Sequence, residues 1–128
     1  MSRAVLDASA VIALIRDEPG SERVADYVGD ALISTVTLQE VVKALLVRGF
    51  ALDTVRTLID ALRLEPRPHQ VEDAYAAAAL FQATKSRGSG LGDRTCMALA
   101  MAEGLPAITT DRAWSDLAIP GLSVILAR

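Results

Sequence analysis

The sequence predicts an α/β fold in which a central parallel sheet of about five short strands is covered by helices on both faces. Short apolar runs alternate along the 128-residue chain with longer segments of helical period, which is the pattern of such a sheet. In addition, 52% of the residues are hydrophobic and 23% are charged, a composition typical of a folded globular domain. We therefore expect a single domain spanning residues 1–128.

The first half of the chain contains two predicted strands and four predicted helices. Ala4–Leu6 and Ala31–Ser34 are short apolar runs bounded by polar residues, as strands of a buried sheet are. Apolar residues recur with helical period in the segments 9–16, 21–28, 37–48 and 53–62. Asp17–Gly20 has the composition of a turn, and Gly49 is expected to end the third of these helices.

The second half is predicted to supply three more strands and two helices. Residues 64–66 form a weak, edge-like strand, and the alanine-rich segment 71–85 has high helix propensity. A glycine-rich loop over 87–92 precedes a helix that begins near Asp93 and ends at Gly104. The last two strands are predicted at 106–109 and 123–126.

Charge and composition exclude several classes of protein. The formal net charge of −3 argues against a sequence-independent coat on nucleic acid, because such proteins draw their affinity from excess Lys and Arg. The one cysteine, Cys96, cannot form an internal disulfide. Asp7 interrupts the N-terminal apolar run after three residues, and no apolar run approaches the roughly 18 residues of a membrane span. We therefore expect a cytoplasmic protein without membrane contact.

Asp93 begins the predicted helix after the glycine-rich loop. With three more acids, which lie at or near the predicted carboxyl ends of strands where ligands bind to open parallel sheets, it makes four candidate site residues. They are Asp7, Glu40, Asp93 and Asp111. Carboxylates gathered at one sheet edge repel each other, so either their pKa values rise or a divalent cation compensates their charge. An all-oxygen site suits Mg²⁺ or Mn²⁺, which polarise phosphoryl oxygens and lower the pKa of bound water. The pattern thus favours hydrolysis of phosphodiesters.

Each of these acids also has a purely structural interpretation. Thr37–Glu40 fits the S/T-x-x-E capping box, and Asp7, Asp93 and Asp111 stand at predicted helix starts, where aspartate is a common cap. A non-catalytic interaction domain whose acids cap helices is therefore an alternative. A receiver-like phosphoacceptor domain is a second alternative, but it needs a lysine at the end of a late strand. The chain has only Lys43 and Lys85, both on predicted helices.

Four motifs resemble those of the PIN-domain ribonucleases and, within them, the VapC toxins of bacterial toxin–antitoxin pairs. The motifs are Val5–Leu14 with Pro19-Gly20, Thr37–Glu40, Leu91–Arg94 and Ile108–Trp114, and they span most of the chain in order. The resemblance implies a single PIN-like nuclease domain in which Asp7, Glu40, Asp93 and Asp111 bind Mg²⁺ or Mn²⁺ and cleave RNA. It also implies an antitoxin partner and makes Asp116 a further candidate acid. Gln39 and the extended loop before Asp93 depart from the common pattern. These departures leave the four carboxylates in place and bear on substrate preference rather than on the chemistry.

Several neighbouring residues are candidates for supporting roles. The Ser9 hydroxyl is expected to donate to Asp7 or to a substrate phosphate. Thr109 and Thr110 end a strand beside Asp111, and we select Thr110 as the residue that orients this acid. Cations close in sequence to the acids are expected to hold an RNA backbone without reading its bases; they are Lys85, Arg87, Arg94 and Arg112.

The predicted helices 37–48 and 53–62 have apolar faces that exceed what one sheet can cover. Exposed apolar patches of this kind usually mark interfaces. We therefore expect the chain to form a homodimer or to bind its antitoxin through this surface.

Overall fold

The structure is a computed structural model that describes residues 3–85 and 89–128; the predicted cation Arg87 lies outside these residues. Its sheet has five strands, all parallel, in the order β3-β2-β1-β4-β5. The strands are β1 (Ala4–Leu6), β2 (Ala31–Ser34), β3 (Glu65–Arg67), β4 (Ala107–Thr109) and β5 (Val124–Leu126). The predicted α/β fold class is confirmed, and the weak strand after residue 63 is indeed an edge strand.

Seven α-helices and one 3-10 helix surround the sheet in the two described ranges. The helices are α1 (Ala8–Arg16), α2 (Ser21–Ala25), α3 (Thr35–Val47), α4 (Leu52–Ala61), α5 (Val71–Ala78), α6 (Phe81–Thr84), α7 (Leu91–Glu103) and the 3-10 helix Arg112–Asp116. No helix in the described part of the chain is both long and apolar enough to cross a membrane.

Helices lie on both faces of the sheet, as predicted. Side chains along each strand alternate between two buried clusters, because successive residues of a strand point to opposite faces. In β1, Ala4 and Leu6 belong to a cluster with residues of α1, α2, α3 and α4. Val5 belongs to a second cluster, with residues of α7 and the 3-10 helix. The two clusters fix β1 at the centre of the molecule.

Four predicted helices differ from the observed ones by two residues or more. The second ends at Ala25 rather than at residue 28, and α7 begins at Leu91 rather than near Asp93. The segment 71–85 forms two helices rather than one, with a turn at Ala79-Leu80 that lets Leu80 pack against the second buried cluster. The third helix begins at Thr35, because the Ser34 side chain accepts a hydrogen bond from the backbone N–H of Val36. The predicted capping box at Thr37–Glu40 is therefore wrong, and Glu40 is the sixth residue of α3.

The strand order changes direction at β1, which has β2 on one side and β4 on the other. The chain runs outward from β1 through β2 to β3, then returns to the opposite side of β1 to form β4. Ligand sites of open α/β sheets lie at such a reversal, beyond the carboxyl ends of the strands. The expected ligand site therefore lies near Asp7, which follows β1, and near Thr109 at the end of β4.

Trp114 holds the segment after β4 against the sheet. Its side chain is 1% exposed and lies in the second buried cluster with Val5 and Leu32. Its indole N–H has no hydrogen-bond partner among the residues that the structure describes. Trp114 therefore stabilises the 3-10 helix by apolar packing.

We predict that Trp114→Ala lowers the free energy of unfolding by about 3–5 kcal/mol, the cost of a large cavity in the core. Trp114→Phe retains much of the ring and removes the unpartnered N–H, so its loss is expected to be less than half as large. Urea denaturation of both variants measures the difference. A loss below about 1 kcal/mol for alanine would contradict the packing described here.

Candidate active site

Asp7 is the most deeply buried acid at the reversal of strand order. It directly follows β1 and is 4% exposed. It occupies the N-cap position of α1, but its side chain forms no capping hydrogen bond with that helix. Capping therefore does not explain its burial.

Two hydroxyl groups hold the Asp7 carboxylate. Ser9 Oγ donates to Asp7 Oδ2 at 2.9 Å, and Thr109 Oγ1 donates to the same oxygen at 2.8 Å. Each hydroxyl also accepts from a backbone N–H after β4, Ser9 from Thr110 at 3.0 Å and Thr109 from Asp111 at 3.1 Å. The two hydroxyl oxygens also lie 3.1 Å apart, and either can donate to the other, so Ser9, Thr109 and Asp7 form one connected network.

The predicted hydrogen bond from Ser9 to Asp7 is present, and the role predicted for Thr110 in orienting Asp111 stays a prediction. Thr109, not Thr110, brings its hydroxyl to the acidic site; Thr110 is buried and contributes its backbone N–H. Strand register explains the difference. Leu6 pairs with Ile108, so the next residues, Asp7 and Thr109, lie side by side beyond the pair. The register is the signal that identifies Thr109.

Burial raises the pKa of Asp7 from 3.8 to about 6. The hydrogen bonds from Thr109 and Ser9 act in the opposite direction, and the negative charge of Asp93 raises the pKa further. Because Oδ2 already accepts two hydroxyl groups, Oδ1 is the oxygen that can take a proton or a cation.

Glu40 extends from α3 toward the N-terminal turn of α7. The residue is exposed overall, but its carboxylate lies directly against Gly92, where a Cβ atom would overlap both oxygens. Partial desolvation raises the pKa of Glu40, and the charges of Asp7 and Asp93 raise it further. The structure thus brings the carboxylates of α3 and α7 toward Asp7.

Asp93 and Asp111, unlike Asp7, form helix-capping hydrogen bonds. Asp93 Oδ2 accepts from the backbone N–H of Gly90 at 3.1 Å, and Asp111 Oδ1 accepts from that of Ala113 at 3.0 Å. Desolvation nevertheless raises the pKa of Asp93; the Gly90 hydrogen bond and Arg94 lower it, and the charge of Asp111 raises it. Asp111 is therefore close enough to act on Asp93 electrostatically.

The other predicted site residues lie around these acids. Arg94 is half-buried and donates to the carbonyl of Ser89 at 2.7 Å. Arg112 begins the 3-10 helix and is exposed, as are Asp116 at the end of that helix and Lys85 after α6. Their part in binding substrate stays a prediction.

The site gathers negative charge that is not neutralised by ion pairs, although the charge of Arg94 acts on Asp93. Within residues 3–85 and 89–128, no Lys or Arg forms an ion pair with Asp7, Glu40, Asp93 or Asp111. In the same ranges, no three acidic side chains converge closely enough to hold one ion between them as they stand. The donor chemistry, all carboxylate and hydroxyl oxygen, suits a hard divalent cation. Completing its coordination would require small movements of the acidic side chains toward one another.

The chain thus combines a parallel α/β fold with four acidic residues around its strand reversal, where ligand sites of such folds lie. Residues 4–120 match the family model described as PIN domain. The chain therefore belongs to the PIN domain family, which confirms the resemblance that its motifs carry.

Solved structures with the same fold include three toxin–antitoxin assemblies. DNA-bound VapBC from Salmonella typhimurium matches with a TM-score of 0.76 and 21% identity over 100% of both chains. VapBC2 from Rickettsia felis bound to a promoter DNA fragment has a TM-score of 0.74 and 15% identity, covering 97% of this chain and 98% of that one. A toxin–antitoxin complex from Klebsiella pneumoniae has a TM-score of 0.73 and 20% identity over 98% of each chain. No curated protein matches significantly.

We predict that Asp7→Asn stabilises the metal-free protein at neutral pH. A carboxyl whose pKa is raised from 3.8 to about 6 by folding stabilises the native state fully below pH 3.8, and this contribution is lost as the pH rises through 6. Asparagine removes the buried charge, so the variant is expected to gain up to about 3 kcal/mol over wild type at pH 7.5 and almost nothing at pH 4.

Urea denaturation with a chelator present, repeated from pH 4 to pH 8, measures this difference. The low-pH measurement is the internal control, since the native Asp7 is protonated there and resembles asparagine. A gain that is independent of pH, or a loss at pH 7.5, would show that burial does not destabilise the Asp7 charge.

Proposed function

We propose that the protein is a Mg²⁺- or Mn²⁺-dependent endoribonuclease and the toxin of a type II toxin–antitoxin pair. The observation that carries the proposal is the buried Asp7 carboxylate, which is held by two hydroxyls and repelled by neighbouring acids at the strand reversal. Burying an uncompensated charge costs stability, so a site of this kind is expected to have a ligand of opposite charge.

A divalent cation fits the groups that are present. Asp7 would bind it through Oδ1, with Glu40, Asp93 and Asp111 as the other acidic ligands. When bound, such an ion neutralises the carboxylates, polarises a phosphoryl oxygen and activates water. Ser9 and Thr109 would fix the orientation of Asp7, which is the part played by hydrogen-bonding partners of metal ligands.

The cations around the site supply the means to bind a polyanion. Arg112 and Lys85 are exposed, and Arg94 lies next to Asp93 in sequence. We assign them to the RNA backbone, since arginine and lysine contacts to phosphates position a strand without reading its sequence. The chain carries a net charge of −3, so local cations rather than overall charge would hold the RNA. Action on RNA is consistent with a cytoplasmic location.

The alternative of a non-catalytic domain with helix-capping acids explains only part of the site. Asp93 and Asp111 do accept hydrogen bonds from helix-terminal N–H groups. Asp7, in contrast, forms no side-chain cap, and Glu40 lies in the second turn of α3. A receiver-like function is also disfavoured, because Lys43 lies on α3 and Lys85 follows α6, rather than a strand end.

We propose an antitoxin of helical character as one partner and a second copy of the chain as the other. A groove of about 160 Å³ between α3 and α4 is lined by apolar residues that include Leu38, Val42 and Leu52, and a concave apolar groove suits an amphipathic helix. A separate exposed patch on α5 and α6 contains Val71, Tyr75 and Phe81. We assign these exposed apolar residues to the homodimer, whose interface must be self-complementary.

We predict that the purified protein cleaves RNA only with Mg²⁺ or Mn²⁺, and that Asp7→Asn and Asp93→Asn each lower the rate at least about 100-fold. Loss of groups that merely support a metal ligand costs 10–100-fold, so loss of a ligand is expected to cost at least as much. Cleavage of single-stranded and structured RNA, with and without a chelator, measures the effect.

Asp26→Asn is the matched control, because Asp26 is an exposed acid that ends α2. It removes the same charge and should leave cleavage unchanged. Equal activity in Asp7→Asn, in a preparation whose circular dichroism matches wild type, would refute the proposed site. Failure of the wild type both to bind Mn²⁺ in calorimetry and to cleave RNA would favour the helix-capping alternative.

For the assembly, we predict a dimer in sedimentation velocity that Tyr75→Asp dissociates and Val47→Asp does not. Both side chains are more than two-thirds exposed, at 72% and 74%, so neither substitution disturbs the core. The pair therefore separates the patch on α5 from the end of α3. A dimer that Val47→Asp dissociates and Tyr75→Asp leaves intact would assign the second copy to the α3–α4 side.

A further inference from the structure

Gly92 occupies an unusual position for a glycine. It is buried in the first turn of α7, and its φ is not positive, so the backbone conformation there is open to any residue. Glycine is also a poor helix former compared with alanine. Neither local conformation nor helix propensity explains glycine at this position.

The space around Gly92 does explain it. The three atoms nearest to a Cβ built on Gly92 are the two carboxylate oxygens and Cδ of Glu40, and all three would overlap it. These atoms are the far end of one flexible side chain rather than backbone, so the glycine makes room first of all for Glu40. The absence of a side chain at Gly92 leaves room for the Glu40 carboxylate, which belongs to the acidic site.

We propose that Gly92 is a positioning residue that lets the Glu40 carboxylate reach the acidic site. Without a side chain at residue 92, the carboxylate lies over the first turn of α7, near Asp7 and Asp93. The N-terminal turn of a helix favours a negative charge, which offsets part of the repulsion from the two aspartates. A methyl group at residue 92 would displace the carboxylate and take a ligand away from the metal.

The proposal rests on the proposed function, since it gives Glu40 a part in binding Mg²⁺ or Mn²⁺. Glu40 is exposed, so its side chain has room to swing into solvent when Gly92 is replaced. We therefore expect Gly92→Ala to keep the fold and to change the position of the Glu40 carboxylate. Alanine also favours the helix, so the metal-free melting temperature of Gly92→Ala is expected to be at least that of wild type.

A double-mutant cycle of Gly92→Ala and Glu40→Ala tests the proposal, with Mn²⁺ affinity from calorimetry, RNA cleavage and the metal-free melting temperature as readouts. In the wild-type background, we expect Gly92→Ala to weaken Mn²⁺ binding about 10–100-fold, as loss of a supporting group does. In the Glu40→Ala background, the same substitution should change the affinity less than about twofold, because the side chain that it displaces is absent.

The cycle separates positioning from a general structural effect. An equal loss in both backgrounds, or a metal-free melting temperature lowered in both, would overturn the proposal, because the methyl group would then act without Glu40. Wild-type affinity in Gly92→Ala would overturn it as well, while leaving the nuclease proposal standing. A wild type that neither binds Mn²⁺ nor cleaves RNA would instead refute the proposed function, and the role of Gly92 with it.

Discussion

The rest of the site depends on one interaction, the pair of hydroxyl hydrogen bonds that holds a buried carboxylate between β1 and β4. Ser9 and Thr109 reach the same oxygen of Asp7 from two elements about 100 residues apart in sequence. Each hydroxyl also accepts from a backbone N–H group after β4, and the two hydroxyl oxygens lie 3.1 Å apart. This network of mutually connected hydrogen bonds orients the Asp7 carboxylate before any ligand arrives.

Burial and mutual repulsion of the acidic side chains lower the stability of the metal-free protein. Desolvation raises the pKa of Asp7 to about 6, and the pKa values of Glu40 and Asp93 are raised as well. Cys96 lies below these acids, fully buried, and their charges add to the burial that raises the pKa of its thiol. Unfavourable electrostatics of this kind are typical of functional sites, where a bound ligand offsets them. The packing of Trp114 and the two apolar clusters supplies the stability that tolerates them.

The elements that were predicted well are those whose signal is local. The strands β1 and β2 are short apolar runs, and the apolar spacing in 53–62 matches α4 to within one residue at each end. Predictions failed where two local signals compete. Ser34 and Thr37 are both acceptable helix caps, and only the end of β2 in the sheet selects Ser34. High alanine content in 71–85 favours one helix, but packing of Leu80 interrupts it.

The sequence by itself determined the fold class and pointed to four candidate acids and the kind of ion that they would suit, because hydrophobic period and carboxylate chemistry are properties of residue type. Only the tertiary structure decided which groups work with those acids. Strand register brings Thr109 rather than Thr110 to Asp7, and the meeting of α3 with α7 brings Glu40 onto Gly92. Both contacts join residues more than 50 positions apart in the sequence. A local sequence pattern does not predict such contacts, because the elements meet only when the chain folds.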